Sequence, residues 1–334
     1  MYKPRRHHFV QAEHIRQFVD SNGTVTVYSK EGRSFDVSPE AIFWQRDLNS
    51  YDTPDGLNTE FENFITEVEN QTFPALAKTI DSEIVAAEAL NALTAYLALS
   101  RIRSPSLQAG VIAHHQQLVR TSAIMMDQRG AFDELGPLPD AENRSLTELL
   151  DSGALEFQIN NAVYLDKIFQ MTKQTHSILL NGFRWNLVKS PLGRVIISDH
   201  PLTFVHPGRH FGLYGIPPGG DDCEMAFPLS KHLYLVGLWE REFESFESEE
   251  AVNELNTRQA IFASRHFATS FESTEWLPLA LQFRNFSFRT KADTLEHPAG
   301  AIHSITGGVF PIESAEAAEE ENPLLGTKPI IAQK

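Results

Sequence analysis

Two groups of residues carry the side chains from which chemistry could be built: Ser198-Asp199-His200 in mid-chain, and the adjacent pair His7-His8. Val195, Ile196 and Ile197 form a β-branched run with the composition of a buried strand. Pro201 cannot donate to a sheet ladder, so the strand is expected to stop there, leaving Asp199 and His200 at the end of a rigid element. The competing reading has Asp199 capping a turn through its own backbone. On an extended segment, His7 and His8 point to opposite faces, which favours one imidazole in a site and the other held structurally. A neutral imidazole could serve as base or metal ligand, whereas the plain alternative is a surface pair beside Arg5 and Arg6. His114 lies on an apolar helical stripe and reads as a core histidine.

Other chemistries lack their equipment. There is no Gly-x-Gly-x-x-Gly, no phosphate loop ending in Gly-Lys-Ser, no Gly-x-Ser-x-Gly and no His-Glu-x-x-His. Cys223 is the only cysteine, so no intrachain disulfide and no multi-cysteine zinc site can form, which fits a reducing, cytoplasmic setting. Flanked by Asp222 and Glu224, its thiol pKa is expected to be raised, against a nucleophilic role. The acidic run Asp221, Asp222, Glu224 could attract a divalent cation or simply be a solvated loop. With 28 Lys plus Arg against 44 Asp plus Glu, the net charge of −16 opposes nonspecific nucleic-acid binding. The exception is the basic start, Lys3, Arg5, Arg6, His7 and His8, which could meet a phosphate group. The most apolar long segment, 84–99, is too short and too polar to span a bilayer, and the start lacks a signal-peptide core.

The elements that must position these residues follow from periodicity. Alternation over 24–28 and 34–37 predicts a β-hairpin with Val25, Val27, Phe35 and Val37 on one face. The stretch 38–56, with Trp44, Gln45, Arg46, Asp47 and Tyr51, reads mostly as connection. Helices are expected from Thr59, with Pro74 kinking or splitting the first, then after Asp81 as a cap, after Ser104-Pro105, after Ser145 with Glu148 as a capping box, and over 160–180. Short strands follow at 183–188, 195–197, 202–205, 225–228 and 232–238, a helix starts at Ser248, and Phe283, Phe286 and Phe288 mark a last strand region. Between 205 and 225 the Gly/Pro-rich loop is a candidate lid over Asp199. Phe is frequent, at 23 copies, which calls for a well-filled core or an apolar pocket.

These residues resemble the domain-of-unknown-function family numbered 4238, whose members open with His-His-Tyr-(Val/Ile)-Pro and a hairpin. His7-His8-Phe9-Val10 with the following hairpin matches that opening, although Gln11 stands where proline is expected. Val68-Glu69 is similar to the family's Ile-Glu, Arg103-Ser104-Pro105 to its Arg-Thr-Pro, and Ser198-Asp199-His200-Pro201 to its Ser-Asp-Asn-Pro, with His200 replacing asparagine. Pro228-Leu229-Ser230 and the helix containing Asn253 follow in order, so the resemblance covers roughly residues 5–272. It implies candidate positions rather than a reaction: His7, His8, Glu69, Arg103 and Asp199 are of the kind that can assemble a hydrolytic site.

The expected architecture is an α+β fold, a single domain over 1–312. An N-terminal hairpin (about 20–38) returns to join a C-terminal mixed sheet (about 183–290), with an α-helical block (about 59–180) inserted between, because a lone hairpin is marginal in water. The acidic segment 313–334 is expected to be disordered. Two functions compete. One is a hydrolase acting on a phosphate-containing substrate, a nuclease among them, with a histidine as base or metal ligand, Asp199 as ligand or orienter and Arg103 stabilising charge. The other is a non-catalytic binding protein in which Arg103 and Glu69 pair structurally. The enzyme reading requires His7 or His8, Asp199 and Arg103 to converge on one open cleft.

Overall fold

A computed structural model describes residues 6–53, 56–58, 60–132, 144–211, 216–297, 300–312 and 322–331. The chain begins with β1 (Arg6–His8), the short α1 (Ala12–Ile15), and the hairpin β2 (Val25–Ser29) and β3 (Ser34–Val37). Three small strands follow, β4 (Trp44–Arg46), β5 (Tyr51–Thr53) and β6 (Gly56–Asn58). The helical block is α2 (Glu60–Ser82), α3 (Ala87–Ile102), α4 (Pro105–Asp127), α5 (Leu146–Asp151) and α6 (Asn161–Gly182). Then come β7 (Phe183–Lys189), β8 (Ile197–Ser198), β9 (Thr203–Val205), β10 (Glu224–Ser230), β11 (Leu233–Trp239), β12 (Phe246–Glu247), α7 (Glu249–Phe262) and β13 (His266–Thr269). The chain continues with α8 (Trp276–Gln282) and the long hairpin β14 (Phe286–His297) and β15 (Gly300–Pro311).

The fold is α+β, and the N-terminal hairpin joins C-terminal strands as expected. One sheet runs β3-β2-β13-β8, with Val27 opposite Ala268 and Phe267 opposite Ser198. A second, mixed sheet runs β12-β7-β11-β10-β9, antiparallel except for the β12–β7 pair. Its central strands are buried on both faces. Met225, Phe227 and Leu235 pack with Leu93, Tyr96 and Leu97 of α3, while Ala226, Tyr234 and Val236 pack with Val25, Val27 and the α7 residues Val252 and Leu255. Each fully buried Leu, Val or Phe contributes on the order of 1.5–3 kcal/mol, so this two-sided sheet is the core from which the edges are hung.

Local signals explain several helix starts. Ser104 accepts from the Leu107 amide, Ser145 and Glu148 form the reciprocal capping box, and Ser248 accepts from the Ala251 amide. The cap expected at Thr59 lies outside the described residues. Other expectations are corrected. Asp81 falls inside the last turn of α2, and α3 starts after Ala86. Pro74 does not split α2, because Ile65 and Leu76 on either side of it are buried in the core. Val195 and Ile196 are buried but not in a strand; Asn256 Oδ1 takes the Ile196 amide instead of a neighbouring strand. Phe283 ends a helix, and the strand region beyond it extends to Pro311.

The tail expectation is overturned over 322–331. Leu324 is buried in the core, Asn322 Nδ2 donates to the Val309 carbonyl at 2.9 Å, and the Ile330 amide donates to Glu224 at 3.1 Å. Residues 313–321 and 332–334 lie outside the described residues.

Candidate functional site

β1 and β4 form a two-stranded ribbon in which His7 faces Gln45 and His8 faces Trp44. The pleat sends the two imidazoles to opposite sides. His7 Nδ1 accepts the Asn49 backbone N–H at 2.9 Å and its Nε2 lies 3.3 Å from Glu62 Oε1, so both ring nitrogens are engaged. His8 differs: its Nε2 is buried without a hydrogen-bond partner. Burial lowers the His8 pKa, a bond to the Glu40 backbone works against this, and the Arg103 charge pushes the same way as burial. Its ring is therefore neutral near pH 7. With Nε2 unpartnered, the Glu40 carbonyl falls to Nδ1–H, which leaves the lone pair on Nε2.

Arg103 caps the C-terminus of α3 and is fully buried, at 0% exposure. Nη1 pairs with Glu69 Oε1 at 3.3 Å and Nη2 donates to the Phe9 carbonyl at 3.4 Å. Gln11 Nε2 donates to the same Glu69 oxygen, a bond that proline could not make. Burial raises the Glu69 pKa and Arg103 opposes it. His7, His8, Glu69 and Arg103 thus gather around the segment 7–11. The guanidinium points at a carboxylate and a carbonyl, and its helix-end position does not turn it toward solvent.

Asp199 has other partners. Oδ1 accepts the Ser264 amide at 2.6 Å, and Oδ2 accepts those of Arg265 at 2.8 Å and His266 at 3.0 Å. This is a turn-holding carboxylate whose donors come from the α7–β13 connection. Burial pushes its pKa up, and the His266 charge and the three amides pull against that. Nearby, the buried Lys30 Nζ donates to the carbonyls of Ala263 (2.7 Å) and Phe286 (2.6 Å). Burial pushes the Lys30 pKa down to about 7, with Asp199 opposing. No group of three or more His, Cys, Asp or Glu side chains among the described residues could hold a metal ion.

A cavity of about 500 Å³ lies between the ribbon and this turn. Phe9, Phe43, Trp44 and Gln45 form one wall, Val27 and Phe35 of the hairpin another, with Pro105, Asp199, Arg265 and His266 completing it. Phe9, next to His8, and Pro105, two residues beyond Arg103, therefore share a cavity with Asp199, while His7, His8, Glu69 and Arg103 are not among its lining residues. Phe35 is 44% exposed although its cross-strand partner Val27 is buried. Phe43 holds φ at 53°, a left-handed conformation that is costly for a bulky residue. Sequence reading put Phe35 on the inner face of the hairpin and took Trp44 and Gln45 as connection. Arg265 and His266 carried no signal.

The remaining candidates are absorbed structurally. Glu224, 1% exposed, pairs with the equally buried Arg258 at 2.9 Å, and Asp222 pairs with Arg209 at 3.0 Å, so the acidic run is divided. The Cys223 thiol is pushed up to about 12, by burial first and only secondarily by Glu224. The loop after β9 is tied down by His206, whose ring nitrogens lie 3.1 Å and 3.2 Å from the carbonyls of Asp221 and Pro217, and residues 212–215 of the candidate lid lie outside the described residues.

Among curated proteins and among solved structures no match to the chain is found. A family model described as "Protein of unknown function (DUF4238)" matches residues 6–270, a span that holds the His7-His8 ribbon, the Glu69–Arg103 pair, the Asp199 turn and every residue lining the cavity between them. The chain belongs to that family.

Proposed function

We propose that this protein binds a small molecule with a planar apolar portion in the cavity between the β1–β4 ribbon and the β2–β3 hairpin. The observation that carries the reading is the aromatic wall of Phe9, Phe35, Phe43 and Trp44 around a space of about 500 Å³. That volume falls within the roughly 300–1,000 Å³ common for small-molecule sites. An exposed Phe forfeits about 1.5–3 kcal/mol of burial, and a strained Phe43 costs on the order of 1–3 kcal/mol more. A thermal-shift panel of drug-sized aromatic compounds tests the reading: compounds should stabilise the native chain and lose the effect in Phe35→Asp. A panel with no stabiliser of the native chain counts against it.

A second reading, a hydrolase of phosphate-containing substrates with nucleases among them, is favoured by the unpartnered His8 Nε2 beside the Arg103 charge. In it His8 takes a proton and Arg103 offsets developing charge. Its difficulty is that Arg103 already faces Glu69 and that Asp199 has both oxygens engaged. Turnover of bis(p-nitrophenyl) phosphate that disappears in His8→Gln would favour the hydrolase, and ligand binding without turnover favours the binding protein. A single buried cysteine supports a reducing, cytoplasmic setting. No described helix is long and apolar enough to cross a membrane.

A further inference from the structure

The chemistry of the cavity mouth narrows the ligand class, an inference that rests on the binding reading above. Against a chain of net charge −16, Arg265 and His266 line the cavity, and two further arginines stand on the ribbon whose Trp44 forms part of its wall. Arg265 is exposed, and its side chain has no carboxylate partner among the described residues. His266 is half-buried, with its ring edge-on to Phe35 at 6.4 Å between centroids. On the ribbon, the Arg6 guanidinium lies 4.5 Å from the centre of the Trp44 ring, and Arg6 stands directly opposite Arg46 in register. Like charges directly opposed on a ribbon destabilise it unless an anion or a carboxylate intervenes. Asp47, 3.3 Å from Arg46, offsets one of the two. The negative group facing the cavity, Asp199, is tied to three amides, with Lys30 close by.

We propose that the cavity takes a nucleoside monophosphate, its base among Phe35, Phe43 and Trp44 and its phosphate against Arg265 and His266. A heteroaromatic base stacks on aromatic faces whatever its sequence identity. A phosphate recruits a guanidinium bidentately, for which Arg265 has its donors available. The segment of backbone that presents Arg265 and His266 is fixed by Asp199, so the anion-binding pair is pre-positioned by this turn without the carboxylate touching the ligand.

Calorimetric titration with the four common 5′-monophosphates, adenosine and inorganic phosphate tests this. At least one monophosphate should bind, at least tenfold more tightly than adenosine or phosphate alone, and binding should weaken with salt. Arg265→Ala should cost that nucleotide tenfold or more while leaving adenosine unchanged; its melting temperature should hold, because the Asp199 bond uses the Arg265 backbone. Phe35→Asp should remove both ligands. Equal affinity for nucleoside and nucleotide, or no effect of Arg265→Ala, overturns the phosphate assignment. If no nucleotide binds while aromatic compounds still stabilise the native chain and not Phe35→Asp, this inference fails and the cavity reading stands. If neither binds, both fail.

Discussion

Both oxygens of Asp199 are engaged by backbone amides at 2.6–3.0 Å, so its replacement is felt first in stability. Asp199→Asn keeps the shape but turns one of the two accepting oxygens into an NH2 donor facing a backbone N–H, with an expected loss of about 1–3 kcal/mol in denaturant unfolding. Ligand affinity of the folded fraction should change less than tenfold. Loss of binding at unchanged stability would contradict the turn role. Two other buried groups set an acid limit. His14 and His200 have their pKa values pushed down by burial to about 4 and about 3. Between their ordinary value of 6.5 and these values, the unfolded chain binds protons that the folded chain refuses. The part of the stability that these two groups carry is therefore full above pH 6.5 and is lost as pH drops toward 4. His200→Phe, in a ring nest with Phe288 at 4.4 Å, should flatten the fall of melting temperature with acid. An unchanged profile contradicts the assignment. That Asp199 follows a buried apolar run was legible in Val195, Ile196 and Ile197, although only Ile197 of these is in the strand, β8, that precedes it. Its partners were not, because they are backbone amides some 65 residues downstream and no side-chain type announces them.

At the scale of elements, one close approach decides how the helical block meets the C-terminal hairpin. A β-carbon on Gly110 of α4 would come within 2.4 Å of the Thr290 side chain of β14, and the Thr290 amide already donates to Ser106 at 2.7 Å. Gly110→Ala must push α4 off β14, with an expected cost of about 1–3 kcal/mol. Chemical denaturation reads it directly, and a neutral substitution would show that the contact is slack. The first hairpin was readable because its alternation is strict and its turn holds Gly32. The β14–β15 hairpin was not. Its apolar alternation is confined to Phe286, Phe288 and Val309, while Arg289-Thr-Lys-Ala-Asp-Thr on one arm and Gly307-Gly308 on the other lack the period-2 signal. The tiny β1–β4 ribbon is three residues a side, too short for any periodicity, yet it builds the aromatic wall.

At the scale of the whole molecule, charge and termini were the least readable. A run of glutamates hides the apolar Leu324 and the segment that follows it. Arg258 reaches the Lys328 carbonyl and Glu254 the Lys328 amide at 3.0 Å, closing that segment over a buried ion pair. Deleting residues from Asn322 onward should lower the melting temperature by about 5 °C, from the lost Leu324 burial and the uncovering of Glu224 and Arg258. An unchanged melting temperature would show that the segment contributes nothing. The central claim, a ligand held against the ribbon, is tested most directly by the indole N–H resonances of a ¹⁵N-labelled sample. The Trp44 indole donates to Ala41 at the cavity wall, whereas those of Trp185 and Trp276 donate to Leu179 and Phe271 away from it. On titration with the compound giving the largest thermal shift, the Trp44 resonance should move in proportion to saturation while those of Trp185, Trp239 and Trp276, none of which lines the cavity, stay fixed. Movement of Trp185 or Trp276 with Trp44 unmoved would place the ligand elsewhere and contradict the account.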